Sequence, residues 1–154
     1  MPNPDFTMKS MHSNGDSRAI TTRAGRLASG APPRWGRMSA PQMMVHITDA
    51  MRMATGELAV RAKKHPARLP PLKQLLIYVV PMAKGLPTAP ELLARAPESI
   101  DSEIEAFRSA VERFVACPPG HVWPDHPIFG SMSRAAWGVL AYKHCDHHLT
   151  QFGV

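Results

Sequence analysis

Residues 133–153 read SRAAWGVLAYKHCDHHLTQFG. Chain termini usually fray, yet this stretch carries helical patterning almost to its end. Ser133 is a good N-cap, and the helix is expected to run to about Gln151. We take His144 as the zero of angle, with roughly 100° per residue. Trp137 then lies at about +20°, Leu140 at about −40° and Ala141 at about +60°. On the same scale His148 lies at about +40° and Gln151 at about −20°. His144 and His148 therefore continue an apolar stripe, one turn apart, and are expected to point into a core. His147 falls about 60° to the other side, Cys145 about 100° away, and Asp146 faces solvent.

A second helix carries the same signal. Ser39-Ala40-Pro41-Gln42 reads as a capping box, with a serine N-cap, a proline in the first turn and glutamine at the third position. This helix is expected to reach about residue 62. Its core stripe holds Met43, His46, Ala50, Met53 and Ala54, with Asp49 at the edge and Met44 and Arg52 facing away. Two helices thus place imidazole where a hydrophobe belongs.

His144 and His148 form HxxxH, a spacing that brings two imidazoles to one point, as a metal ion requires. Three unpartnered buried imidazoles would cost several kcal/mol in total. A shared divalent metal on His46, His144 and His148 removes that cost, and so does a hydrogen-bonded polar cluster without metal. Three ligands would leave a coordination position for water or substrate. Asp49 and Gln151 are the candidates for catalytic work beside such a site. Asp49 could orient His46 through its other ring nitrogen, and Gln151 could contact a bound water. Glu57 shares the His46 face but lies farther along the helix. His126 is expected to shape the loop before the last helix, and Cys145 to be a buried structural thiol.

Between and before these helices the pattern stays helical. A weak helix is expected over 17–29, with Ile20, Ala24 and Leu27 on one side and Gly30 as its stop. A short apolar helix over 72–80 lies between Pro71 and Pro81. Residues 81–98 read as loop with one helical turn near 91–95. Another helix starts near 99–101 with acidic residues in its first turn, shows the stripe Ile104, Phe107, Val111, Phe114, and ends at Pro118-Pro119-Gly120. No segment alternates with period two. The expected fold is all-α, an up-down bundle of four main helices, formed by one domain over 18–154. Residues 1–17, polar and short of large apolar groups, are expected to be a disordered tail.

Composition narrows the function classes. At 154 residues and 44% hydrophobic content the chain is an ordinary globular protein. No stretch approaches the roughly 18 apolar residues of a membrane span. With no apolar leader segment and only two cysteines, a reducing cytoplasm is the expected setting. The net charge is +6, with the excess in the first half. The arginines there are dispersed and lack interleaved aromatics, so a solvated basic surface is favoured over a nucleic-acid interface.

The segments WGRMSAPQMMVHITDAMRMATGE, LKQLLIYVVPMAKGLPTAPEL and HPIFGSMSRAAWGVLAYKHCDHHLTQFG resemble the DinB-like (YfiT-like) metalloenzyme superfamily. The likeness is nearest to a branch known only as a bacterial domain of unknown function. It covers most of residues 34–153. The resemblance implies a four-helix bundle whose divalent metal, nickel or zinc, is held by His46, His144 and His148. It also implies a thiol S-transferase-like activity, joining a low-molecular-weight thiol to a small electrophilic substrate, and a homodimer. A hydrolase-like enzyme using the same site, and a non-catalytic metal-binding or stress-response protein, are the competing expectations.

Overall fold

The computed structural model describes residues 7–154. Among them the regular structure is helical, with five α-helices and no strand. These are α1 (Asn14–Ala24), α2 (Ala40–Thr55), α3 (Leu72–Gln74), α4 (Ile100–Val115) and α5 (Arg134–Gln151). α3 continues directly into a π-helical turn, Leu75–Val79. No helix is long and apolar enough to cross a membrane.

Capping side chains start α2, α4 and α5 where expected. Ser39 Oγ accepts from the Gln42 amide at 3.2 Å, and Gln42 Oε1 accepts from the Ser39 amide at 2.8 Å, closing the capping box. Ser99 and Ser133 cap α4 and α5 through their own hydroxyls. α5 spans the full length that its patterning suggests. Ile104, Phe107, Val111 and Phe114 of α4 are all buried.

α2 ends earlier than expected, at Thr55 rather than near residue 62. Gly56 stops it by taking a left-handed conformation, φ 88°, in which its amide turns back to the Arg52 and Met53 carbonyls. Met44 is fully buried rather than outward facing. α2 sits centrally, against α4 and α5, so every side chain from 43 to 54 except Arg52 is buried. The short helix over 72–80 is present, but its second half widens into the π turn. The turn expected near 91–95 is a 3-10 turn over Pro90–Leu92.

The N-terminal region departs most from expectation. α1 begins at Asn14, capped by Ser13, and ends at Ala24, with Gly25 rather than Gly30 as its C-cap. Of the tail expected over 1–17, residues 1–6 lie outside the described residues. The part from 10 onward packs onto α5. Met11 is fully buried, and its amide donates to the Gly138 carbonyl at 2.9 Å. A Cβ at Gly138 would stand 2.4 Å from both His12 Cδ2 and Ser10 Oγ. The missing side chain in mid-helix is therefore a notch that seats the N-terminal segment.

The core and the caps predict different costs. Phe107, fully buried, leaves a cavity on conversion to alanine, and Phe107→Ala is expected to lose about 3–5 kcal/mol. Ser39→Ala removes one capping bond and is expected to lose about 1 kcal/mol. Urea unfolding of the two variants beside the wild type checks both values.

Candidate metal centre

His46 comes from the middle of α2, and His144 and His148 from consecutive turns of α5. The two helices pack together, and the three rings meet between them. His46 Nε2 lies 2.9 Å from His144 Nε2. Ring centroids are 4.8 Å apart for His46 and His144, 4.7 Å for His46 and His148, and 4.8 Å for His144 and His148. Each pair is close to perpendicular, at 88°, 80° and 80°. One ligand nitrogen from each ring falls within 4.8 Å of the others.

A tetrahedral zinc site with Zn–N near 2.0–2.1 Å places its nitrogens about 3.3 Å apart. The 2.9 Å edge and the 4.8 Å limit bracket that spacing. His46 is buried, while His144 and His148 are half-buried.

Burial keeps the rings neutral. It pushes the pKa of His46 down to about 4 against an opposing effect of the Leu92 backbone. Burial and the neighbouring His46 lower His148 to about 4 as well. His144 is driven well below the ordinary histidine range, first by burial and then by His46 and His148. At neutral pH each ring therefore keeps one unprotonated nitrogen, the form a metal needs. His46 Nδ1 is buried with no hydrogen-bond partner of regular geometry.

The neighbours divide sharply. Asp49 does not orient His46. Its carboxylate accepts from Arg52 Nη1 at 3.1 Å and stands 3.9 Å from Arg95 Nε. Glu57 is taken up by Arg113 at 2.9 and 3.2 Å. Gln151 is buried and meets the cluster through His148. His148 Nδ1 lies 2.8 Å from its Oε1, while its Nε2 donates to the Trp35 carbonyl at 2.7 Å. His147 stays outside the trio and packs on Trp35, with centroids 5.4 Å apart. His126 accepts the Ile128 and Phe129 amides on Nδ1 and so shapes its loop, as expected. Cys145 is fully buried, and burial pushes its thiol far above the ordinary range.

Two contributors escaped the sequence. Residues 34–36 strap the end of α5, with the Arg34 amide donating to the Gln151 carbonyl at 2.7 Å. Lys143, next to His144, donates to the Leu76, Ile77 and Val80 carbonyls at 3.0, 3.0 and 2.6 Å. It thereby ties the π turn to α5. Neither partner set shares a helix face or a short spacing with the histidines, so periodicity carries no sign of them.

A protein-family model described as "Protein of unknown function (DUF1569)" matches residues 9–153. The chain belongs to that family. No curated protein and no solved structure matches it.

The lowered pKa values set a pH dependence for the metal-free chain. His46 and His148 titrate near 4 when folded and near 6.5 when unfolded. Between those values the unfolded state binds more protons, so stability rises with pH. It is expected to be level above pH 6.5 and to fall by a few kcal/mol, on the order of magnitude, as pH drops toward 4. Thermal unfolding in the presence of a chelator at pH 7.5, 5.5 and 4.5 measures this. A midpoint independent of pH across that window would contradict it.

Proposed function

We propose that this chain is a divalent-metal protein of the DinB-like type, an up-down bundle of its four long helices with His46, His144 and His148 as ligands. One observation carries the reading: three neutral, mutually perpendicular imidazoles from two helices converge in the interior. Nitrogen donors of this kind suit zinc or nickel. The donor set fits the ion chemically, since each neutral ring offers one lone pair at neutral pH once the proton shared between His46 Nε2 and His144 Nε2 shifts to the far nitrogen of its ring. When bound, such an ion lowers the pKa of a water or thiol on its open position.

The chain's own residues then have separate tasks. The rings of His46, His144 and His148 bind. Gln151 holds His148, and the apolar side chains of α2 and α5 keep bulk water from the inner side. We favour thiol S-transferase-like chemistry, joining a low-molecular-weight thiol to a small electrophile, in a cytoplasmic homodimer. Hydrolase-like chemistry is the variant in which water takes the thiol's place. A non-catalytic metal-binding role is favoured by one observation: Asp49 and Glu57, the carboxylates that the sequence sets on the His46 side, are both held by arginines. Neither is available as a base.

Untagged protein is expected to retain about one equivalent of zinc or nickel per chain, and His144→Ala/His148→Ala to retain none. Added metal is expected to raise the Tm of the metal-stripped wild type and leave that of the double variant unchanged. Equal metal in both proteins would overturn the proposal. A panel of small thiols with a chromogenic electrophile then separates the roles. A rate above that of free metal supports transfer, and its absence supports the non-catalytic role.

A further inference from the structure

Gln151 stands between two groups of opposite hydrogen-bonding character. The Trp35 carbonyl can only accept, and it lies 2.7 Å from the Gln151 amide nitrogen. That contact demands the NH₂ end of the amide. The carbonyl end, Oε1, is then the one turned to His148 Nδ1 at 2.8 Å. An amide oxygen also only accepts, so Nδ1 must carry the proton. A neutral imidazole has one N–H, which leaves the lone pair on Nε2.

The amide cannot turn over without setting its oxygen against the Trp35 carbonyl, acceptor to acceptor. Gln151 is buried, so water does not offer an easy alternative. The strap that carries the Trp35 carbonyl is fitted to this amide. A Cβ on Gly36 would lie 2.8 Å from Gln151 Nε2, and Gly36 adopts φ 81°, a left-handed conformation that favours glycine. The Arg34 amide adds a backbone bond to the Gln151 carbonyl. The same turn thus grips residue 151 by its main chain and its side chain. His46 has no side chain in this role; the Leu92 backbone is the group that neighbours it.

We propose that Gln151, set by the Trp35 carbonyl, is a positioning residue that fixes His148 as the Nδ1–H tautomer and presents Nε2 as its metal-binding atom. This rests on the three-histidine reading above, but the tautomer itself exists without metal and is measured separately. The strap at residues 34–36 thereby becomes part of the site, acting on His148 through Gln151.

The test uses the full chain labelled with ¹⁵N-histidine and freed of metal. Two-bond ¹⁵N–¹H correlations assign the His148 tautomer, and zinc competition against a chelating dye gives the affinity. Wild type is expected to show Nδ1–H for His148. Gln151→Leu is expected to lose that preference and to weaken zinc about 10–100-fold. Gln151→Glu keeps an acceptor against Nδ1–H but sets its second oxygen against the Trp35 carbonyl, and is expected to retain the tautomer while losing the bond to the strap. Gly36→Ala, which displaces the amide from the strap side, is expected to shift the tautomer in the direction of Gln151→Leu.

An Nε2–H tautomer in the wild type overturns the proposal. So does a folded Gln151→Leu with unchanged tautomer and affinity, or ligation through His148 Nδ1 in the zinc-loaded chain. Should Gln151→Leu fail to fold, the wild-type assignment and the other two variants decide. Should the wild type bind no metal, the metal reading falls while the tautomer result still stands or fails alone.

Discussion

Burial of α2 on nearly all sides is the constraint on which the rest of the structure depends. A helix with so little solvent face must match its polar side chains to partners brought by other elements. α2 buries three such groups, His46, Thr48 and Asp49, and the two that draw charged or aromatic partners, His46 and Asp49, stand one turn apart. α5 brings two more imidazoles to His46, and Arg95, from the loop before α4, joins Arg52 of α2 itself at Asp49. The crossing of α2 and α5 is therefore fixed by polar matching as much as by the packing of Met43, Ile47 and Leu149 in one buried cluster.

The long proline-rich connections are tied down by the same logic. Arg95 reaches from the segment after Pro90–Leu92 and makes a paired contact, 2.9 and 2.8 Å, with Glu103, which is 1% exposed. The Glu98 amide donates to the same carboxylate at 2.8 Å. Arg95 also neighbours Asp49, so one guanidinium joins α2, α4 and the loop that carries Leu92 past His46. Arg68 performs a similar task for the loop before α5, bonding the Lys63 and Pro127 carbonyls at 2.9 and 3.0 Å. Segments with no helix of their own thus gain definite positions through long cationic side chains that reach backbone oxygens and buried acids.

What was legible in the sequence follows from this division. Periodicity located α4 and α5, the Ser39 capping box located the start of α2, and the angle argument turned His46, His144 and His148 inward, while the resemblance implied that they share one metal. These are local signals, set by residues within a few turns. The errors are non-local or turn on a single backbone conformation. Gly56 ends α2 because it can turn left-handed, which a count of apolar positions does not register. Met44 is buried because α2 is central, whereas an amphipathic pattern assumes one wet face. Residues 10–13 are mostly polar, yet they fold onto α5 because Gly138 makes room. Asp49 lay at the right edge of the stripe to serve His46, but two arginines, one of them from a distant loop, reach it first.

The pairing of those carboxylates bears on the chemistry of the cluster. Asp49 and Glu57 neutralise arginines, so neither lends negative charge to the imidazoles. Three neutral rings leave the full charge of a divalent ion uncompensated, unlike a ligand set that includes a carboxylate or thiolate. An ion held by these rings would carry its charge uncompensated and would favour an anionic further ligand such as hydroxide or a thiolate. At the centre, His46 Nδ1 is left without a partner of regular geometry.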